Sequence, residues 1–383
     1  YYRFGKKGYG MTKEELYREL AKQKVEMTPD ERMKAYMAGE EVDCIPHRLL
    51  SADDAFGVAW GYSKHDLYNN LDVRAAQLRK KQKLYGDASI PFKLGLRGMG
   101  IALGSEEIVS DRGENDIGRR FLDSYDKLYI LEEFEVETNL WMQKKIETAR
   151  EMKQRLPELK YSGGMAGPIT TAIAMRPIEY VLRDMRKAPK ELHRLLELIV
   201  VCNLKYVRAG YEQLGITSWS ISDPVTTTDI LGVRYFREFS GPYLKTLHDG
   251  IVHITGSEPT IHICGHSKPI WEDLADCGFT MLSVDNCENM LDFQRIVGDR
   301  MFLTGNVPPV DVMRNGSIDD VIEAVKISLR TGAENPKGFM LNTGCQVSMG
   351  VPLENMDAFF YAARKYGAGA QIGKMPKGMS AVL

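Results

Sequence analysis

From residue 160 onward the chain alternates short apolar runs with amphipathic helical stretches, and this rhythm limits the folds open to it. The apolar runs end in Gly, Pro, Asp or Cys, as buried strands do where they enter a loop. They predict strands at residues 160–163, 218–221, 260–264, 281–284, 301–305 and 338–341. Helical spacing predicts helices between them at residues 189–214, 235–249, 268–277, 288–297 and 318–331. Alternating strands and helices of this kind favour a parallel sheet.

Two further candidate strands lie near residues 44–47 and 88–92 and bring the number of predicted strands to eight. Eight parallel strands with intervening helices predict an α/β protein with a (β/α)8 TIM barrel. An open doubly wound sheet is the alternative. The sequence contains no GxGxxG dinucleotide loop and no GxxxxGK[ST] phosphate loop, which removes the usual reasons for preferring that fold.

The first third of the chain is helical and charged, and it predicts an N-terminal helical extension that caps the barrel. Apolar residues at helical spacing predict helices at residues 13–24, 29–37, 73–84 and 130–156. We expect residues 1–27 to form the extension and residues 28–383 to form a single barrel domain.

Charge and cysteine content narrow the class of protein. Lys and Arg number 50 and Asp and Glu number 52, so no basic excess indicates binding to nucleic acid or an anionic membrane. We see no apolar run long enough to span a bilayer, and the opening ten residues are too polar for a signal peptide. Six cysteines are too few for a disulfide scaffold, which predicts a cytoplasmic protein. Four of them are expected to be small core residues: Cys44, Cys202, Cys277 and Cys287.

The segment His262-Ile263-Cys264-Gly265, together with the distant Cys345, is the pattern with the most chemical meaning. Residues 262 and 264 of a strand face the same side, so one imidazole and one thiolate can reach a single ion. Cys345 would supply a third ligand and leave one position open, as in catalytic zinc sites. Cys and His donors favour Zn²⁺ over Mg²⁺ or Ca²⁺. The alternative is that all three are ordinary buried residues.

Polar residues follow most of the predicted strands, and in a barrel these positions converge at the C-terminal mouth, where the active site lies. Asp285 is expected to be a fourth zinc ligand or a partner of the ligating imidazole. Asp223 is either a turn residue before Pro224 or a carboxylate for substrate binding or proton transfer. His266 lies past Gly265 and competes with His262 for contact with the metal.

These segments resemble the uroporphyrinogen decarboxylase superfamily, and within it the zinc- and corrinoid-dependent methyltransferases. The resemblance implies a (β/α)8 barrel that holds Zn²⁺ through His262, Cys264 and Cys345. It also implies a cobalamin cofactor carried by a separate corrinoid protein, because this chain lacks the Asp-x-His-x-x-Gly motif of corrinoid-binding domains. The resemblance begins near Thr28 and runs through Gly167-Pro168-Ile169-Thr170, Ser222-Asp223-Pro224, His262-Ile263-Cys264-Gly265, Ser283-Val284-Asp285, Gly305-Asn306-Val307 and Gly344-Cys345.

The resemblance includes both methyltransferases that demethylate ethers and those that methylate the thiol of coenzyme M. The stretches around Phe56 and Phe92 are rich in aromatic and apolar residues and are expected to line a pocket for an aromatic ring, with barrel packing as the alternative. No Lys or Arg directly follows the later strands to bind the sulfonate of coenzyme M. We therefore expect O-demethylation of a small methyl donor, a phenyl methyl ether, with transfer to cob(I)alamin. Methylation of a thiol by methylcobalamin is the alternative.

In the ether reaction, Asp223 and His266 are candidate donors of the proton to the departing phenolate, and Asp285 is expected to orient the zinc site. Asn306 and Asn342 are expected to contact the cofactor. The sequence leaves a homodimeric state open.

Two other functions fit the sequence less well. The decarboxylase carries an arginine-rich Arg-Gln-Ala-Gly-Arg segment, whereas the corresponding residues Pro46-His47-Arg48-Leu49-Leu50-Ser51 contain one arginine. A non-catalytic scaffold held by structural zinc would show four closely spaced ligands in paired CxxC units. Removing the metal distinguishes the last case, because a structural zinc unfolds its protein on leaving.

Overall fold

The structure, a computed structural model, describes residues 10–110 and 115–380, so residues 1–9 of the predicted extension lie outside the described residues. The strands in the described residues are β1 (Val42–Cys44), β2 (Ile90–Lys93), β3 (Glu107–Ile108), β4 (Asp116–Ile117), β5 (Tyr161–Ala166), β6 (Trp219–Ser222), β7 (Thr260–Ile263), β8 (Met281–Val284), β9 (Phe302–Val307), β10 (Phe339–Thr343) and β11 (Ala368–Ala370). The α-helices in the same part of the chain are α1 (Lys13–Lys22), α2 (Pro29–Met37), α3 (Asp53–Ala59), α4 (Lys64–Asn69), α5 (Leu71–Tyr85), α6 (Gly98–Ala102), α7 (Tyr129–Glu132), α8 (Leu140–Arg155), α9 (Pro168–Met175), α10 (Ile178–Lys187), α11 (Pro189–Leu214), α12 (Gly232–Tyr235), α13 (Gly241–Thr255), α14 (Trp271–Asp276), α15 (Met290–Val297), α16 (Ile318–Gly332) and α17 (Leu353–Tyr366).

Seven of the strands form one sheet in the order β10-β9-β8-β7-β6-β5-β2. Pairing is parallel between β2 and β5, β5 and β6, β6 and β7, and β9 and β10. Helices separate successive strands of the sheet, which is the arrangement of a (β/α)8 barrel. The predicted fold class is therefore confirmed. No helix in the described residues is both long enough and apolar enough to traverse a lipid bilayer.

The strand predicted at residues 44–47 is reduced to a single bridge. His47 pairs in parallel with Leu341 of β10, whose N–H donates to the Pro46 carbonyl. The residues just before it, Val42–Cys44, pair instead antiparallel with Ala368–Ala370. The chain changes partner at Pro46, which has no N–H to donate to a ladder and so ends regular pairing. The prediction of a regular barrel strand here is wrong for this reason.

The described residues fall into two compact units. The first comprises the described residues up to Ala88 and those from Ser283 onward, and the second comprises Ser89–Leu282. In the first unit, Lys13 of α1 lies 3.3 Å from Glu354 of α17, and the Gln23 side chain donates to the Tyr361 carbonyl. The described part of the predicted extension therefore packs on α17. The division into an extension at 1–27 and a barrel domain at 28–383 stays a prediction.

Aromatic clusters form part of the core of each unit. In the first, the fully buried Phe56 lies 4.8 Å from Tyr85 between ring centroids, and Tyr85 stacks on Phe360 at 4.4 Å. In the second, Phe92 stacks on Tyr206 at 4.8 Å. Phe56 and Phe92 were expected to line a substrate pocket, but for both of them the alternative of barrel packing holds.

The long helix predicted at residues 130–156 is broken in two. Helix α7 ends at Glu132 and α8 begins at Leu140. Asn139 separates them: its Oδ1 accepts from the N–H of Met142 at 3.0 Å, and its Nδ2 donates to the Ala102 carbonyl at 2.8 Å. An Asn in this capping role starts a new helix. The apolar spacing across residues 133–139 continues the helical pattern and so conceals this contact with another segment.

A buried ion pair joins α2 to β1. The Nε of Arg32 donates to Oδ1 of Asp43 at 2.6 Å, and the two side chains are 4% and 9% exposed. The second oxygen of Asp43 accepts from the N–H groups of Glu26 and Met27 at 3.2 Å. Burial alone would raise the pKa of Asp43, but the hydrogen bonds and charge of Arg32 lower it to about 2.

We predict that Asp43→Asn lowers the free energy of unfolding at pH 7 by about 3–5 kcal/mol, because it leaves Arg32 buried and unpaired. The carboxylate stabilises the fold above the ordinary Asp pKa near 4, and this contribution is lost as the pH falls through about 2. In urea unfolding, the free energies of unfolding of the wild type and of Asp43→Asn should therefore converge as the pH falls below about 4. The exposed Asp299→Asn is the matched control. Equal stabilities at pH 7 would contradict this account.

Candidate metal centre

His262 and Cys264 lie at the carboxyl end of β7. The Nε2 of His262 is 3.1 Å from the Sγ of Cys264, and both side chains are half-buried. Ile263 between them is fully buried in the core, as strand alternation requires. Gly265 then turns the chain with φ of +68°, where a Cβ would lie 2.8 Å from the Thr227 hydroxyl. Glycine is the residue that permits this turn.

Cys345 follows β10 after a second glycine. The N–H of Gly344 donates to the Val307 carbonyl at 2.9 Å. A Cβ at residue 344 would lie 2.4 Å from the backbone nitrogen of Asn286, so only glycine allows this approach to the loop after β8. The contacts of the Gly344 backbone with Val307 and Asn286 therefore fix the turn that carries the half-buried Cys345.

The structure brings the three predicted ligands together. One ligand atom from each of His262, Cys264 and Cys345 lies within 4.8 Å of the others. Ligand atoms on a tetrahedral zinc are about 3.3–3.8 Å apart, so a small closure of this group fits the ion. One imidazole and two thiols are also donors that Zn²⁺ prefers. With three protein ligands, a tetrahedral zinc would keep one position without a protein ligand.

Asp285 is the first residue after β8 and organises the turn that follows. Its Oδ1 accepts from the N–H of Cys287 at 3.2 Å, and its carbonyl accepts from the N–H of Glu288 at 3.1 Å. Within residues 10–110 and 115–380, no carboxylate joins the group of three ligands. A role for Asp285 in orienting the metal site stays a prediction.

Asp223 is fully buried directly after β6. Its Oδ1 accepts from the N–H of Thr170 at 2.9 Å, which caps the amino end of α9. Its own N–H donates to the His262 carbonyl at 3.0 Å and so fixes the end of β7. Burial raises the pKa of Asp223 to about 6, although hydrogen bonds from Thr170 lower it. The residue is more than a turn former, and a role in proton transfer stays a prediction.

The carboxylate of Asp223 fits because residue 167 is glycine. A Cβ there would lie 2.3 Å from Oδ2 of Asp223. That oxygen is buried and has no hydrogen-bond partner in the part of the chain that is described. Burying such an oxygen lowers the stability of the fold, and the fold keeps Asp223 at this position despite that cost.

His266 lies on an exposed loop and is not a member of the three-ligand group in the described residues. Its Nδ1 is 2.9 Å from Oδ2 of Asp229, and both side chains are more than half exposed. The hydrogen bond with His266 lowers the pKa of Asp229. The carbonyl of His266 also accepts from the Thr227 hydroxyl at 2.9 Å. The structure thus places His266 beside Asp229, and a role as proton donor stays a prediction.

Asn306 and Asn342 are register partners on β9 and β10 and are 5% and 0% exposed. The Nδ2 of Asn306 donates to the carbonyls of Asp285 and Glu288 at 3.1 and 2.9 Å. The Nδ2 of Asn342 donates to the Thr304 hydroxyl at 3.3 Å. Both amides therefore support the strand ends, and contact with the cofactor stays a prediction.

Three of the four cysteines expected in the core are buried, namely Cys44, Cys202 and Cys277. Burial raises the pKa of Cys44 and Cys202 to about 12, which keeps both thiols protonated. Cys287 is exposed, so the prediction is wrong for this residue. It belongs to the polar turn between Asp285 and α15, where its N–H donates to Oδ1 of Asp285.

Cationic groups in the loops at the strand ends were not predicted from the sequence. Arg97 and Arg120 line a cavity of about 100 Å³ in the second unit. In the first unit, Arg48 follows the bridge at His47, and its Nε is buried with no hydrogen-bond partner in the described residues. Arg97 stands four residues past β2, and Arg120 stands beyond a short hairpin, so neither directly follows a strand of the main sheet. Only Arg97, in the loop after β2, carried a signal that could have been noticed.

Comparison with known proteins agrees with this fold. The profile of the family described as uroporphyrinogen decarboxylase (URO-D) matches residues 28–366. The chain is 26% identical over 355 residues to methylcobamide:CoM methyltransferase MtaA of Methanosarcina barkeri (strain Fusaro / DSM 804), covering 90% of this chain and 99% of that protein. It is 29% identical over 176 residues to the chloroplastic uroporphyrinogen decarboxylase of Nicotiana tabacum, covering 46% and 43%. A solved methyltransferase from Methanosarcina mazei shares the fold, with a TM-score of 0.73, 24% identity and coverage of 90% of this chain and 100% of that one.

We predict that Cys264→Ala and Cys345→Ala each lose most of the zinc bound by the wild-type chain, because two remaining ligands hold the ion weakly. The exposed Cys287→Ala should keep it. Metal analysis after dialysis against a weak chelator measures the zinc per chain. Circular dichroism of each variant should remain that of a folded protein, as expected for a catalytic ion. Undiminished zinc in both ligand variants would refute this assignment.

Proposed function

The chain belongs to the uroporphyrinogen decarboxylase (URO-D) family, and we propose that it is a zinc-dependent methyltransferase that works with cobalamin on a separate corrinoid protein. The observation that carries this proposal is the group formed by His262, Cys264 and Cys345. Decarboxylation has no use for two thiols and an imidazole gathered around one point. Similarity to MtaA, a methylcobamide:CoM methyltransferase, over 90% of the chain supports methyl transfer involving a corrinoid.

The donor set favours a thiol as the substrate atom at the open position. When bound there, zinc supplies the Lewis acidity that keeps a coordinating thiol deprotonated at neutral pH. Cys264 and Cys345 as thiolates would carry two negative charges and cancel the charge of the ion. A donor set of that charge supports a nucleophilic sulfur better than it polarises a weakly basic ether oxygen.

The packing of the aromatic residues points in the same direction. Phe56 and Phe92 are core residues, so the aromatic pocket that favoured a phenyl methyl ether is not built from them. The reaction that we propose is therefore methylcobalamin plus a thiol giving cob(I)alamin, a methyl thioether and a proton. O-demethylation of a phenyl methyl ether, which the sequence favoured, is retained as the alternative because it uses the same three ligands.

The residues of the chain position the reacting groups. His262 presents its imidazole from β7, and the N–H of Asp223 holds its carbonyl at 3.0 Å. Gly344 brings Cys345 close to the loop after β8 by removing the side chain that would clash with Asn286. These contacts fix the backbone at two of the ligands. We therefore expect the positions of their side chains to change little when a substrate binds or leaves.

We predict that zinc-loaded protein consumes methylcobalamin when a small thiol is added under anaerobic conditions, as followed by absorbance. A free thiol with a pKa near 8.5 is about 3% ionised at pH 7. Loss of the metal through Cys264→Ala should therefore slow the reaction at least about 30-fold. Cys287→Ala should retain the wild-type rate.

Two other outcomes separate the alternatives. Formation of methylcobalamin from cob(I)alamin and an aryl methyl ether, with no reaction of thiols, would establish O-demethylation instead. No reaction in either direction, with zinc bound and a corrinoid protein supplied, would overturn the assignment as a methyltransferase.

A further inference from the structure

The main chain of Leu50 is bonded on both sides of the turn that carries Cys345. The N–H of Leu50 donates to the hydroxyl of Thr343 at 3.3 Å, and the Leu50 carbonyl accepts from the N–H of Val347 at 2.9 Å. Thr343 stands two residues before Cys345, and Val347 stands two residues after it. These two bonds are called the Leu50 clamp below. All of its members belong to the first unit.

Both residues that Leu50 holds are anchored in the core. The side chains of Thr343 and Val347 are 0% and 1% exposed. Thr343 is the last residue of β10 and pairs in register with Val307 of β9. The turn that carries Cys345 therefore begins and ends on buried residues, and Leu50 joins the two ends.

One bond of the clamp depends on a side chain. Without the hydroxyl of Thr343, the N–H of Leu50 would lose its acceptor in the folded protein. A backbone N–H that loses its partner destabilises the arrangement that keeps it from water. The main chain of Leu50 would then move away from the turn and weaken its bond to Val347. The position of Cys345 thus depends on the Thr343 hydroxyl through Leu50.

Ser51 connects the clamp to α3 in a strained conformation. Its φ is +49°, and within residues 10–110 and 115–380 it is the single non-glycine residue with a positive φ. Helix α3 begins two residues later at Asp53, whose Oδ1 accepts from Nζ of Lys81 at 2.7 Å and whose carbonyl accepts from Gln77 at 2.8 Å. Strain of this kind persists where the surroundings fix the chain on both sides. Here Leu50 and Asp53 are those fixed points.

We propose that Thr343 and Ser51 are positioning residues of the metal centre, which keep the Sγ of Cys345 in reach of the ion through the main chain of Leu50. The inference rests on the zinc site of the proposed function and is independent of which methyl group is transferred. Breaking the clamp should speed the loss of zinc, because one of its three ligands is then held less firmly.

The test compares variants that differ by one hydroxyl. Thr343→Val has nearly the same shape but no acceptor. It should raise the rate of zinc transfer to a colorimetric chelator about 10- to 100-fold, as the loss of a group that orients a metal ligand does. Thr343→Ser keeps the hydroxyl and should stay within about twofold of the wild type. With Co²⁺ in place of zinc, Thr343→Val should also weaken the thiolate-to-metal charge-transfer absorption, to which Cys345 contributes.

Thr255→Val is the matched control. The Thr255 hydroxyl accepts from the N–H of Ser257 at 3.1 Å, and the residue is 7% exposed. It lies at the end of α13, before the amino end of β7, whereas the metal ligands lie at the carboxyl ends of the strands. This variant should lower the stability toward urea and leave the rate of zinc loss unchanged.

Variants of the exposed Ser51 test the clamp without altering the core. Ser51→Pro fixes φ near −65° and excludes the observed conformation, so it should release zinc about as fast as Thr343→Val. Ser51→Gly accepts a positive φ and should keep the wild-type rate. The double variant Thr343→Val/Ser51→Pro should be hardly faster than the faster single variant, because both changes break the same connection.

Three results would each overturn the proposal. They are zinc loss within about twofold of the wild type in both Thr343→Val and Ser51→Pro, equal acceleration in Thr343→Val and Thr343→Ser, and equal acceleration in Thr255→Val. Faster zinc loss in Thr343→Val and Ser51→Pro, from a wild-type chain that transfers no methyl group, would support the proposal and refute the proposed reaction.

Discussion

Parallel pairing of β6 with β7 is the constraint on which the candidate centre depends. Ser222 pairs with His262 in this register, and the N–H of the next residue, Asp223, continues the ladder to the His262 carbonyl. A slip of one residue would turn His262 and Cys264 toward the helices and bring Ile263 to the inner face. The metal chemistry is thus set by backbone hydrogen bonds before any ligand side chain is considered.

Close backbone approach is the second condition. Gly167 makes room for the buried carboxylate of Asp223, and Gly344 makes room for Asn286 beside the turn of Cys345. At both positions a methyl group would lie about 2.3–2.4 Å from a polar atom. Asp223 is fully buried, and one of its oxygens has no hydrogen-bond partner among the described residues, a cost that most folds avoid. Its capping of α9 and its bond to His262 offset part of that cost.

The sequence predicted elements whose identity depends on local pattern. The strand at 281–284 and the helix at 189–214 have the same bounds in the structure. Elements that depend on distant contacts were predicted less well. The break at Asn139 depends on its hydrogen bond to the carbonyl of Ala102. The bridge at His47 depends on a change of partner, because residues 42–44 pair with β11 and residue 47 pairs with β10.

The candidate site shows the same division. His262, Cys264 and Cys345 could be found because their residue types carry the chemistry wherever they stand. Arg120 could not, because an arginine in a loop is ordinary and only the fold places it beside the same cavity as Arg97. The aromatic residues near Phe56 misled for a related reason. Sequence shows that such residues are apolar, but it does not show whether they face the core or a ligand.

The bridge at His47 also bears on how the protein moves. Regular strands of the sheet are held along several residues, whereas the segment around Pro46 is joined to β10 by the bonds from Leu341 and Arg48 alone among the backbone pairs described there. Local opening is cheapest where few backbone bonds must break. The amide protons of β10 at the bridge with His47 are therefore the ones expected to exchange first with solvent. Cys345 lies just past β10, so local opening at the bridge with His47 would also loosen the third metal ligand.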